Sequence, residues 1–161
     1  MEKMMYILVI SDTHGRVSEI EKVIEKHPEA KHVFFLGDCV RDMEDIPFIY
    51  PDRTYHIVEG NCDGYTEYKS ADMVEICGKR IFFTHGHTFG VKLGLEKLYA
   101  EAERQRADLV LFGHTHAAIT EYADGRHFVN PGSLSSGALG FRSYAKIDIV
   151  ENGIVPGIIK T

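Results

Sequence analysis

Apolar residues follow two rhythms along this chain. Residues 5–10 (MYILVI), 32–36 (HVFFL) and 54–58 (TYHIV) are nearly continuous apolar runs, the pattern of strands buried on both faces of a parallel sheet. Between the first two, Val17, Ile20, Val23 and Ile24 recur at helical spacing. That predicts a helix over 16–26, ended by His27-Pro28 because a residue preceding proline is pushed out of the helical region. Residues 41–49 read as a second, short helix halted near Pro47. Strand–helix–strand–helix–strand order predicts a parallel arrangement.

The second half reads differently. Residues 73–77 and 79–84 predict a hairpin turning at Gly78-Lys79. Leu93, Leu95, Leu98, Tyr99 and Ala102 predict an amphipathic helix over 91–104. A strand over 108–112 follows. Then come a hairpin pairing 118–122 with 126–129 over Asp124-Gly125, and a final antiparallel pair, 143–150 with 154–160, around Asn152-Gly153. A parallel half followed by a hairpin-rich half predicts an α/β fold of two mixed sheets packed face to face, with helices outside. With 161 residues and no repeat or linker, residues 1–161 are expected to form one domain.

Composition narrows the partners. The formal charge is −6 and no run of Lys or Arg occurs, so no grip on a nucleic-acid polymer is expected. Cys39, Cys62 and Cys77 form an odd, unspaced set, which disfavours a disulfide framework and suggests a reducing cytoplasm. The first ten residues are too short for a membrane span and lack a cleavage site, so neither a signal peptide nor a membrane segment is expected.

Candidate chemistry sits where apolar runs end. Asp12-Thr13-His14, Gly37-Asp38, Gly60-Asn61, His85-Gly86-His87 and Gly113-His114-Thr115-His116 each place an oxygen or imidazole donor just beyond a strand-like run. Loops at strand carboxyl ends converge on one crevice in open α/β sheets. Singly, Gly-Asp and Gly-Asn are ordinary turn pairs; jointly, the five segments offer seven donors, Asp12, His14, Asp38, Asn61, His85, His114 and His116. That number can hold two metal ions side by side and points to metal-assisted hydrolysis of a phosphate ester, with Asp38 the natural bridge. Carboxylate, imidazole and amide donors together suit Mn, Fe, Zn, Co or Ni better than Ca or Mg. His27, His32, His56 and His127 read as packing or surface residues.

As a set, the segments resemble the calcineurin-like metallophosphoesterase superfamily over residues 6 to about 150. Thr84-His85-Gly86-His87 and Asn130-Pro131-Gly132-Ser133 resemble its YfcE-like branch of small phosphodiesterases. The resemblance implies a four-layer α/β/β/α sandwich and two divalent transition-metal ions, Mn foremost. It assigns Asp12, His14, Asp38 and His116 to one ion, and Asp38, Asn61, His85 and His114 to the other. A hydroxide bridging the ions would attack a small phosphodiester, with Asp38, Asn61 and His85 closest to the chemistry.

One position departs from the superfamily's Gly-Asn-His segment. Here Cys62 stands where a histidine credited with protonating the leaving group would be, and a thiol is a poor general acid near neutrality. A steep dependence on leaving-group pKa is therefore expected. His87 is a candidate substitute, and Asp63 reads as a supporting residue. The alternatives are a phosphomonoesterase or nuclease on the same site, or a protein-binding scaffold like the retromer subunit that shares this fold. The resemblance implies that scaffold relatives tend to lose ligand histidines, whereas this chain keeps the full set. A homodimer is compatible with the resemblance.

Overall fold

The computed structural model describes residues 5–161. Among the described residues, ten strands form two five-stranded mixed sheets. In the first, β1 (Met5–Ile10), β2 (His32–Phe35) and β3 (Thr54–Ile57) run parallel, as their unbroken apolar runs predict. The carboxyl-terminal hairpin of β9 (Ser143–Val150) and β10 (Gly153–Lys160) joins antiparallel along β1, giving the order β10-β9-β1-β2-β3. The second sheet holds β4 (Ala71–Ile76), β5 (Lys79–Thr84), β6 (Leu109–Leu111), β7 (Ile119–Ala123) and β8 (Arg126–Asn130), in the order β4-β5-β6-β8-β7. Its central strands β5, β6 and β8 are parallel, flanked by antiparallel β4 and β7.

Side-chain alternation sorts the apolar residues into three layers. Ile7 and Val9 point between the sheets, where they meet Phe34, Phe83, Leu109, Leu111 and Ile147. Leu8 and Ile10 point outward onto α1 (Val17–Lys26), whose Ile20, Val23 and Ile24 cover the first sheet. On the far side, Phe82 and Val110 face Leu98 and Ala102 of α3 (Glu96–Gln105). The layering is helix, sheet, sheet, helix. Each fully buried Leu, Ile or Phe contributes about 1.5–3 kcal/mol relative to exposure, so this inter-sheet layer holds the two sheets together. No helix among the described residues is long and apolar enough to cross a membrane.

Three local expectations are corrected. The helix predicted over 91–104 begins only at Glu96: Gly90 (φ 61°) and Gly94 (φ 137°) turn the chain out of helical geometry first, leaving Leu93 95% exposed. Helical spacing alone could not see that break. Pro47 does not halt a helix but lies in the first turn of α2 (Ile46–Ile49), where a missing N–H costs nothing. Residues 40–43 form a separate 3-10 turn. The first hairpin turns at Cys77-Gly78, both at positive φ, with Ile76 paired to Lys79; that left-handed pair matches the twist of the flanking strands.

Candidate metal centre

Every proposed donor lies just past the carboxyl end of a parallel strand. Asp12 and His14 follow β1, Asp38 follows β2, Asn61 follows β3, His85 follows β5 and His114 and His116 follow β6. Strand ends of both sheets thus open onto one face. Backbone bonds lash the loops together: Asp12 N–H donates to Gly37 O (3.0 Å), Gly113 N–H to His85 O (2.9 Å) and Leu36 N–H to Ile10 O (2.9 Å). Asp12, His14, Asp38, His114 and His116 all adopt positive φ, between 44° and 71°. Side chains other than glycine rarely take that conformation, at a cost of about 1–3 kcal/mol each, and such residues cluster where donors must be aimed.

The donor atoms fall into two overlapping groups. Asp12, His14, Asp38 and His116 offer atoms all within 4.8 Å of one another, and so do Asp38, His85 and His114. Asn61 joins the second group, its Oδ1 lying 3.0 Å from His85 Nε2. The neighbouring separations are 3.1 Å for His85 Nε2 to His114 Nδ1, 3.4 Å for His85 Nε2 to Asp38 Oδ2, and 3.1 Å for His116 Nε2 to Asp12 Oδ1. His14 Nε2 is 3.9 Å from both Asp12 Oδ1 and Asp38 Oδ2. Two donors each about 2.1 Å from one ion lie roughly 3.0–3.4 Å apart, so the closer pairs have the spacing of a shared coordination sphere.

Two further observations fit a cation. Leu36 O and Ser136 O can only accept, so His85 Nδ1 (2.7 Å) and His116 Nδ1 (2.9 Å) carry the hydrogens and leave each Nε2 lone pair facing the cluster. Asp12 Oδ1 is buried and receives no aligned hydrogen bond, although three imidazoles surround it. A buried carboxylate oxygen left this way costs free energy that a divalent ion would recover.

Electrostatics in the protein chain alone follow the same geometry. Burial works to raise the Asp12 carboxyl, but the His116 and His85 imidazoles and the Ser11 hydroxyl outweigh it and hold it below the ordinary range. The Asp12 carboxylate correspondingly raises His116. Burial, then the neighbouring His85, lowers His114 and His87. Burial and the Asp38 carboxylate push the Cys62 thiol up, so it stays protonated at neutral pH.

The supporting residues are of two kinds. The Asp63 carboxylate accepts four backbone N–H bonds, from Asp38 (2.9 Å), Cys39 (2.7 Å), Val40 (2.8 Å) and Gly60 (2.7 Å), and so clamps the Asp38 loop to the Asn61 loop. His87 lies in a 3-10 turn, its ring 5.3 Å from that of His85. Asn130 Nδ2 donates to Gly113 O and Thr115 Oγ1, and Ser133 Oγ donates to Asp12 O at 2.7 Å. That gives the Asn130-Pro131-Gly132-Ser133 segment a physical task, stapling the β6 loop to the β1 loop. Asp42, which nothing in the sequence marks, is buried and accepts from Thr13 Oγ1 (2.5 Å), Gly15 N–H (2.8 Å) and Cys39 Sγ (3.3 Å). Its role depends on a contact 29 residues away in the chain.

Comparison with known proteins identifies the family. The chain is 34% identical to a probable metallophosphoesterase, YsnB, of Bacillus subtilis, over 81% of this chain and 75% of that protein. It is 28% identical to phosphodiesterase YfcE of Escherichia coli, covering 82% and 80%. It is also 34% identical to vacuolar protein sorting-associated protein 29 of Schizosaccharomyces pombe, covering 81% and 73%. A predicted phosphoesterase from Streptococcus pneumoniae superposes with a TM-score of 0.78 at 25% identity, over 99% of each chain. The calcineurin-like phosphoesterase superfamily domain matches residues 5–152, and to that superfamily of metal-dependent phosphoester hydrolases this chain belongs.

Proposed function

We propose that this protein is a dinuclear metal-dependent phosphodiesterase acting on a small phosphodiester, with Mn as the ion used. The observation that carries the reading is the pair of donor groups sharing Asp38, beside a buried Asp12 oxygen that lacks an aligned partner. Asp12, His14, Asp38 and His116 hold one ion; Asp38, Asn61, His85 and His114 hold the other. Bound there, two divalent ions supply a nucleophilic water at neutral pH and offset charge on the phosphoryl oxygens. The chain's own part is positioning. Leu36 O and Ser136 O fix the imidazole tautomers, and Asp63 fixes the two loops that present Asp38 and Asn61. Cys62 sits where a leaving-group acid would stand and offers only a weakly acidic thiol, so the alkoxide or phenoxide departs without its help. Three unpaired cysteines suit a reducing cytoplasm.

Hydrolysis of bis(p-nitrophenyl) phosphate in Mn²⁺ tests this. Activity is expected in the intact protein and a loss of at least about a thousandfold in Asp38→Ala and His85→Ala. Across aryl diesters the rate falls steeply as leaving-group pKa rises. Wild-type activity in either variant, or a flat leaving-group dependence, refutes the assignment. A second reading, the same fold as a protein-binding scaffold, has the likeness to the sorting-associated protein in its favour. It predicts metal uptake without turnover of any diester.

A further inference from the structure

The donor cluster has a neighbour on the same face. Ser136 O accepts from His116 Nδ1 at 2.9 Å, and Ala138 N–H donates to His116 O at 2.8 Å, so the loop over residues 134–142 is tied directly to a proposed ligand. The same loop, with Thr161, lines an open cavity of about 430 Å³, walled by Ser135, Ser136, Phe141, Arg142 and the main chain of Gly137 and Gly140. That volume lies in the range of small-molecule sites.

Charge around this cavity opposes the protein's overall −6. Arg142 Nη1 lies 3.6 Å from Glu19 Oε1, and Lys22 Nζ holds the same oxygen at 3.0 Å. Arg16 is within electrostatic reach of that carboxylate as well. Lys160 Nζ sits 4.3 Å from the centre of the Phe141 ring. The Glu19 carboxylate therefore stands among three cations, Arg16, Lys22 and Arg142, with Lys160 beside the Phe141 wall, and it orients Arg142 without neutralising the group. The Arg142 side chain remains 36% exposed. A guanidinium fork beside Ser136 and the open main chain of Gly140, where a Cβ would meet nothing within 4 Å, is a receptor for a planar or tetrahedral oxyanion. On an acidic protein, such a patch raises the local concentration of polyanions beside the cluster.

We propose that this cavity receives a second anionic group, a phosphate or carboxylate carried on one substituent of the phosphodiester, and that Arg142 determines specificity for it. The inference rests on the phosphodiesterase reading of the donor cluster. The substrate class it names is a small diester bearing a further negative charge, such as a phosphorylated nucleoside or sugar ester.

The test compares thymidine 3′,5′-bisphosphate with thymidine 5′-monophosphate by calorimetry, in Mn²⁺-replete buffer at low salt. Intact protein is expected to bind the bisphosphate about tenfold or more tightly than the monophosphate. Arg142→Gln should shrink that advantage to near unity, Arg142→Lys should keep part of it, and unfolding midpoints check that each variant is folded. Lys160→Gln, at the exposed end of β10, should reduce the advantage too and serves if Arg142→Gln does not fold. Equal affinity for the two ligands in the intact protein, no binding of the bisphosphate, or an undiminished advantage in folded Arg142→Gln overturns the proposal. Turnover is not needed for this measurement. Hydrolysis of bis(p-nitrophenyl) phosphate, which carries no second anion, reports separately on the reading beneath it.

Discussion

Replacing Asp63 by asparagine exchanges one oxygen for an NH₂ group and should unsettle the whole centre. The carboxylate now accepts from Asp38 and Gly60 at one oxygen, and from Cys39 and Val40 at the other. An amide has only one oxygen. Whichever way it turns, two of the four N–H groups face an NH₂ donor and lose their partner. Net hydrogen bonds to a charged acceptor are worth about 1.5–3 kcal/mol each. Asp63 is only half-buried, so the lower end applies, and two losses come to roughly 3 kcal/mol. For a chain of this length that is a fall in unfolding midpoint of about 6–12 °C. Function should suffer beyond the stability loss, because the released loop is the one that holds Asp38 at φ 61°. A metal-affinity loss of about 10–100-fold is the usual consequence of freeing a ligand from its support. Thermal unfolding and Mn²⁺ titration of Asp63→Asn check both figures. A midpoint within about 2 °C of wild type together with unchanged Mn²⁺ affinity would show that the four bonds are incidental, and the positioning argument would fail.

Three further outcomes follow from other parts of the structure. A Cβ on Gly60 would lie 2.2 Å from Asp38 Oδ1 and 2.6 Å from Asp38 N, so Gly60→Ala should displace the shared carboxylate and cut diester hydrolysis at least about a hundredfold, with metal content per chain as the direct readout. Free Mn²⁺ at about 100 times its dissociation constant should add about 2.7 kcal/mol through one site, raising the unfolding midpoint by about 5–10 °C; chelation should reverse the shift and Asp38→Asn abolish it, and identical midpoints with and without chelator would exclude a structural ion. Burial pulls the His56 imidazole, hydrogen-bonded to His32 at 3.0 Å, down to about 4. The fold therefore favours neutral His56, so its contribution is full above pH 6.5 and lost as pH falls from 6.5 to about 4, by about 2 kcal/mol at most after solvent screening; His56→Gln should flatten the acid limb of a stability–pH curve over that window.

How far the chain could be read in advance depended on the range of the physics involved. The runs at residues 5–10 and 32–36 announce β1 and β2 because a strand covered on both faces must be apolar throughout, a property of a few adjacent residues. The seven donors stand out only as a set: Gly-Asp or Gly-Asn alone is an ordinary turn pair, but five donor segments each following such a run point to one site. Leu93 misled because its spacing is helical, while the glycines that turn the chain before Glu96 act through backbone angles that no hydrophobic pattern encodes. Asp42, the fourfold clamp of Asp63 and the cations around Glu19 were out of reach for a different reason. Each depends on at least one contact between residues 23 to more than 100 positions apart, and their meaning exists only after the sheets have formed. The same division accounts for the strain at the centre. Five of the seven donors sit at positive φ, at about 1 kcal/mol or more apiece, and no local preference of Asp or His would hold them there together. The loops endure that cost because they hang from strand ends whose side chains fill the layer between two sheets, and because Asp63, Asn130 and Ser133 take up backbone groups that a relaxed loop would turn to water. Donor identity is thus a local property of this chain, whereas donor direction belongs to the fold, and a substitution that spares all seven donors can still remove the centre by releasing a single clamp.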